Sequence, residues 1–413
     1  MKRRAFWFGY LLAGGLGIAL IHSTHAHDWQ MTSAPGAIWW SVASSVDGNK
    51  LAAVVGGPTN GPIYTSTNSG ATWTITSAPI QKWVSIASSA DGNRLAAVTT
   101  PNIYISTDAG LTWTASSAPQ TNWNAVAMSA DGSRLVAVSS YYGVGIYTST
   151  NAGITWEQQT NAPGGPTGFF WQSVVSSTDG NRLAATVSLG GPIYISTNGG
   201  VTWTFTTPTN FNTVFMRWRV AMSADGGTLL AAPIGSQPFT GGLVYVSTNA
   251  GVSWMATATP TQLWGAVAVS ADGSKLVAAA YSDAVGNGGP IYTSSDSGAT
   301  WTLNSAPNTN WVSVTSSADG SKLVAVAKGI TVYGEGPIFT GHAIPILNIK
   351  HSDTNVVVTW PATAAASAFD LQKNTELSTT NWIDAGLPVK DDGTNKSVTI
   401  DSPTGNVFFR LKQ

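Results

Sequence analysis

The chain has 413 residues, no cysteine, only 9% charged residues and a formal net charge of -1. That composition excludes a small disulfide-stapled fold and argues against a nucleic-acid surface, which needs clustered positive charge. The length suits one large domain and one small one, because single cores stop growing near roughly 250 to 300 residues unless repeats extend them.

In chain order, residues 1–26 read as a secretory signal peptide. Lys2, Arg3 and Arg4 form a positive start, Ala5 to Ile21 an apolar run, and Thr24-His25-Ala26 a small-x-Ala cleavage site, which puts the mature start at His27. The run contains Gly9, Gly14, Gly15 and Gly17 and is shorter than the roughly 20 apolar residues a membrane span needs. No later stretch qualifies as a span, so the expectation is a protein secreted to the periplasm, the cell surface or the medium. Cleavage removes three cations and no acid, taking the formal charge from -1 to -4.

From residue 27 to 343 the chain repeats. One motif, Ser66-Thr-Asn-Ser-Gly-Ala-Thr-Trp73, recurs in stretches ending at Trp113, Trp156, Trp203, Trp254 and Trp301, at intervals of 40, 43, 47, 51 and 47 residues. That period matches a four-stranded propeller blade. A second motif, Trp83-Val-Ser-Ile-Ala-Ser-Ser-Ala-Asp-Gly92, recurs from Trp40, Trp123, Trp171, Trp218, Trp264 and Trp311. Each copy reads as a strand, a tight turn at Asp47, Asp91, Asp131, Asp179, Asp225, Asp272 or Asp319, and a second strand. A third strand, the first motif as a hairpin and a fourth strand complete the unit. Seven units predict an all-β, seven-bladed β-propeller. The last unit lacks a fourth strand, and Asp28-Trp-Gln-Met-Thr-Ser-Ala-Pro35 aligns with the fourth-strand pattern Thr72 to Pro79. The N-terminal strand is therefore expected to close the ring and remove the open edges.

The Ser-x-Asp-x-Gly-x-Thr-Trp pattern resembles the Asp-box, or bacterial neuraminidase repeat, of sialidase-like propellers. Only Asp108 and Asp296 keep the acid; Asn68, Asn151, Asn198 and Asn249 replace it, which a hairpin tolerates because Asn also bonds the turn backbone. The resemblance implies the fold and leaves function open, since Asp-boxes occur on proteins of different activities. Residues 344–413 break the repeat. Val356 to Trp360, Phe369 to Gln372, Ser397 to Ile400 and Phe408 to Leu411 read as short strands, and the segment resembles a fibronectin-III-like module, a small β-sandwich.

A sialidase clamps its substrate carboxylate with three arginines. Outside leader and tail this chain has Arg94, Arg134, Arg182, Arg217 and Arg219, of which the first three fill one repeat slot after the Asp-Gly turn. The family's early Arg-Ile-Pro motif and a Tyr-Glu pair are absent. Another glycoside hydrolase needs two carboxylates about 5 to 10 Å apart, and Asp283 with Glu335, in second-to-third-strand loops of adjacent blades, is the candidate pair. His27 and His342 are the candidates for a copper-type nitrogen site. No motif for a cofactor is present.

Trp40, Trp83, Trp123, Trp171, Trp218, Trp264 and Trp311 open the innermost strand of each blade, at the end that also carries loops of most variable length. A residue repeated in every blade is first a packing solution; exposed, the same indoles would suit a sugar. The sequence thus favours a secreted, non-enzymatic binding propeller that recognises a glycan or a protein through that face. A glycoside hydrolase and a scaffold or assembly factor are the alternatives.

Overall fold

The computed structural model describes residues 27–141, 144–163, 169–188, 191–208, 217–234, 241–282, 287–329, 334–343, 347–352, 355–362, 370–374, 381–401 and 408–412. The leader, residues 1–26, lies outside them. The chain divides into two compact units, one of Asp28–Gly341 and one holding the C-terminal residues from His342. Among the described residues there is no helix, and so none long and apolar enough to cross a membrane.

The larger unit is built from seven four-stranded sheets. In six, the strands are consecutive and neighbour one another in chain order, as in Trp83–Ser88, Leu95–Thr99, Ile103–Ser106 and Thr114–Ala115. The second strands are mostly apolar, and several, such as Leu95–Thr99 and Leu135–Ser139, are buried at every residue because neighbouring sheets cover both faces. The fourth strands are short and exposed. The seventh sheet takes its fourth strand, His27–Met31, from the N-terminal segment, laid beside Ile338–Ala343.

Two local devices fix the sheets, the second of them in six of the seven. In the first turn a serine hydroxyl bridges the hairpin: Ser129 Oγ donates to Asp131 (2.6 Å) and accepts the N–H of Arg134 (3.0 Å), while Asp131 accepts the N–H of Ser133 (3.0 Å). Gly132 takes φ 71° there, and a Cβ on it would meet Arg94 of the preceding sheet at 2.4 Å, so only glycine fits. In the hairpin between the third and fourth strands, Ser106 Oγ donates to Asp108 (2.8 Å) and accepts the N–H of Gly110 (2.9 Å), and Asp108 accepts the N–H of Thr112 (2.9 Å). Asn68 performs the same work, accepting the N–H of Thr72 at 2.9 Å. The replacement of acid by amide therefore leaves the hairpin intact.

The sheets are joined by a ring of backbone hydrogen bonds between successive first turns. Val46 N–H donates to Ala90 C=O, Ala90 to Ala130, Ala130 to Thr178, Thr178 to Ala224, Ala224 to Ala271, Ala271 to Ala318, and Ala318 back to Val46, each at 2.7 to 2.9 Å. The last bond returns the seventh sheet to the first, so the array is a closed β-propeller.

The C-terminal unit contains two sheets. Asn348–Ser352, Asn355–Pro361, Asn395–Ile400 and Lys390–Asp391 form one in that order; Ile383–Asp384, Asp370–Asn374 and Phe408–Lys412 form the other. Val356, Val358, Trp360 and Val398 of the first share one core with Leu371, Ala385 and Phe409 of the second.

Candidate functional site at the channel

The strand-opening tryptophans are core residues. Trp83, Trp171, Trp218, Trp264 and Trp311 are 0% exposed and Trp123 1%. Each ring meets the third-strand aromatic edge-on, as Trp83 does with Tyr104 at 5.3 Å and Trp311 with Phe339 at 5.4 Å. Trp83, Trp123 and Trp171 also lie tilted against Trp113, Trp156 and Trp203, which follow the third-to-fourth-strand hairpins, at 6.4 Å. Trp29 of the N-terminal strand meets Trp311 in the same manner, at 6.2 Å and 44°. Of the two readings of these indoles, packing and direct ligand contact, their burial is that of packing: each indole fills the gap between one sheet and the next, Trp83 packing with Ile63 and Ala78 of the preceding sheet and Ile86 and Leu95 of its own. Two of them also hold a loop, since Trp83 Nε1 donates to Gly61 C=O (2.9 Å) and Trp264 Nε1 to Gly242 C=O (2.7 Å).

Trp40 is the exception, and the register explains it. In the first sheet Trp39, 0% exposed, pairs with Val55 and packs edge-on against Tyr64, as Trp83 pairs with Thr99 and packs on Tyr104. Trp39 thus occupies the repeated slot, and Trp40 is the next residue. In six sheets the pairing skips that next residue, leaving a bulge between Trp39 and Ser41, Trp83 and Ser85, Trp123 and Ala125, Trp171 and Ser173, Trp264 and Ala266, and Trp311 and Ser313. A bulge re-aims its extra residue. Here those residues, among them Trp40, Asn124 and Gln172, line a cavity of about 250 Å³ at the centre of the unit. The remaining inner strand has no bulge: Trp218 pairs with Pro233 and Arg219 with Ala232, so Arg219 lines the cavity where other strands present Ser41, Ser85, Ser173 or Ser313.

The cavity wall is polar and carries positive charge. Arg219 Nε donates to Gly265 C=O (3.1 Å), and burial followed by the charge of Arg217 pushes its pKa down. The Lys328 ammonium lies 3.5 Å from the centre of the Trp40 ring, a cation–π contact. Burial, then repulsion from Arg219, lowers its pKa to about 8. Gly57, at φ 74°, packs against Trp40 so closely that a Cβ would lie 2.3 Å from the ring. Asn124 Nδ2 donates to the carbonyls of Trp171 (2.9 Å) and Gln172 (3.0 Å), and Gln172 Oε1 accepts from Ser188 (2.9 Å). Among the described residues no carboxylate pairs with Arg219 or Lys328.

Of the candidate catalytic pair, Glu335 is exposed, and Asp283 lies outside the described residues. Among the described residues no group of three or more His, Cys, Asp and Glu comes together as a metal site; His27 is buried and His342 half-buried. Tyr141, 59% exposed, in a second-to-third-strand connection, and Tyr281, 39% exposed, in the second strand Leu276–Ser282, are surface aromatics at the end of the sheets where the inner strands begin.

No protein-family model matches the chain, and no curated protein matches it. Solved structures match it well. The GH74 xyloglucanase from Xanthomonas campestris has a TM-score of 0.58 and 15% identity, over 81% of this chain and 59% of the xyloglucanase, so the chain spans well under two thirds of that enzyme. YCF48 bound to D1 peptide has a TM-score of 0.56 and 15% identity, over 78% of this chain and 97% of that one. YCF48 from Cyanidioschyzon merolae has a TM-score of 0.56 and 18% identity, over 76% and 98%. At such identities the likeness is one of fold, that of a β-propeller.

Proposed function

We propose that the chain is a secreted, seven-bladed propeller of the Asp-box type with a fibronectin-III-like module, and that it binds a glycan or a protein without catalysis. Each four-stranded sheet is read as one blade, and the binding surface as the end that carries the channel mouth and the second-to-third-strand loops. The observation that carries this reading is a division of labour. The repeated tryptophans are spent on the core and on holding loops through Gly61 and Gly242, whereas the residues that vary from sheet to sheet, Trp40, Asn124, Gln172 and Arg219, line the channel. A constant frame with variable residues at one end is how repeat folds present binding surfaces.

The similar structures span both alternatives, since one is a xyloglucanase and another was solved with a D1 peptide. The partner acid that a hydrolase reading gives Glu335 is Asp283, which lies outside the described residues. Binding of the mature protein to a glycan array and to a peptide library tests the reading. Substitution of Tyr141 and Tyr281 by alanine is expected to weaken the strongest hit while leaving the melting temperature within a degree or two. Turnover of a polysaccharide that Glu335→Gln abolishes would overturn it.

A further inference from the structure

Arg219 and Trp40 line one small cavity, the Lys328 ammonium lies over the Trp40 ring, and among the described residues neither cation has an acidic partner. Buried charge without a counter-charge is costly, and a chain with an excess of acids, 20 against 19 cations, has supplied none here. The wall also carries serine hydroxyls that can donate. Ser41, Ser85 and Ser313 accept the backbone N–H groups of Ile86 (3.3 Å), Val126 (3.4 Å) and Val42 (3.2 Å), which leaves each hydroxyl proton available. Arg219 spends Nε on Gly265, leaving its terminal nitrogens unspent, and Lys328 is held over Trp40, with its stem fixed in the strand Lys322–Lys328. The cavity, at about 250 Å³, holds on the order of eight waters at about 30 Å³ each, the space of one small organic molecule.

We propose that the channel is an oxyanion site that takes the carboxylate of a small organic acid, with Arg219 and Lys328 as its two cationic contacts and the channel serines as hydroxyl donors. Arg219 offers a planar pair of donors and Lys328 a point charge. The Trp40 ring covers one side of the ammonium and keeps it partly dry. The site rests on the channel alone and stands apart from the choice of glycan or protein at the loop face.

Calorimetry of the mature protein at pH 7 with glucuronate, acetate and glucose tests this. Both carboxylates are expected to bind and glucose is not; tighter binding of glucuronate than acetate would assign a share to the ring hydroxyls and supports the same site. Arg219→Gln and Lys328→Met are each expected to weaken binding at least tenfold, with circular dichroism unchanged. Affinity is expected to fall as pH rises through about 8, where Lys328 loses its charge. Because Arg219→Gln also removes the bond to Gly265, Lys328→Met and the pH profile keep the test decisive if that variant folds poorly. Failure of both acids to bind at 10 mM, glucose binding as well as glucuronate, or a pH-independent affinity unaffected by Lys328→Met would each overturn the proposal. Array binding that survives Lys328→Met would leave the loop-face reading intact.

Discussion

Replacing Trp83 by alanine measures what the repeated tryptophan does. The side chain is 0% exposed, meets Tyr104 at 5.3 Å and Trp113 at 6.4 Å, and donates its indole proton to Gly61 C=O at 2.9 Å. Truncating a buried Trp costs about 3 to 5 kcal/mol, and loss of the indole leaves a part-buried carbonyl without its donor, adding roughly 1 kcal/mol. A total near 5 kcal/mol is thus expected, less if the two sheets close over the gap. For a unit of about 310 residues, an unfolding entropy of about 2.1 cal/mol/K per residue converts this to a fall in melting temperature of roughly 8 °C. Scanning calorimetry reads that shift directly. Trp113→Ala is the comparison: Trp113 is half-buried and should cost less than half as much. Were Trp83→Ala to melt within a degree of the parent, the assignment of these indoles to the interior would be wrong.

Three further outcomes are expected. Deleting residues 27–35 leaves Ile338–Ala343 as an open edge and takes Trp29 from Trp311, so the truncated protein should aggregate, which light scattering would detect; a monodisperse protein with an unchanged melting temperature would argue otherwise. Hydrogen bonds from Ser129, Ser177 and Ser270 hold Asp131, Asp179 and Asp272 near pKa about 2, below the ordinary 3.8; because the folded values are the lower ones, their contribution is present above pH 4 and lost as pH falls through 2, so the melting temperature should drop over that interval and a flat profile would count against it. Gly57→Ala puts a Cβ into the Trp40 ring at a positive φ, and should lower stability by about 1 to 3 kcal/mol and move the Lys328 titration, which nuclear magnetic resonance of the ammonium would follow.

Much of the fold can be read from the chain because the constraints are local and repeated. The Ser-x-Asp-Gly and Asp-box turns carry their own hydrogen bonds, and Trp29 announces a fourth strand by standing where Trp73 stands in its repeat. The slip at Trp40 comes from two adjacent tryptophans competing for one slot. Counting back from the turn resolves it, since Trp39 stands eight residues before Asp47 as Trp83 does before Asp91. The same count gives seven between Trp218 and Asp225, the missing bulge that brings Arg219 into the channel wall. Lys328 over Trp40 was beyond reach from sequence: the two are far apart in the chain and meet because the seventh sheet returns to the first.

The hydrogen-bonded circuit of first turns, from Val46 through Ala318 and back, gives every sheet two neighbours. An open stack can fray from its ends, melting one unit while breaking one junction. Here the first unit to leave must break two, and whichever it is, six remain with raw faces. Loss of order should therefore be abrupt and indifferent to where it begins. The same circular accounting makes the position of the chain ends arbitrary: a protein opened at an exposed third-to-fourth-strand hairpin tip and rejoined between residues 27 and 341 would meet the same set of junctions in a different order.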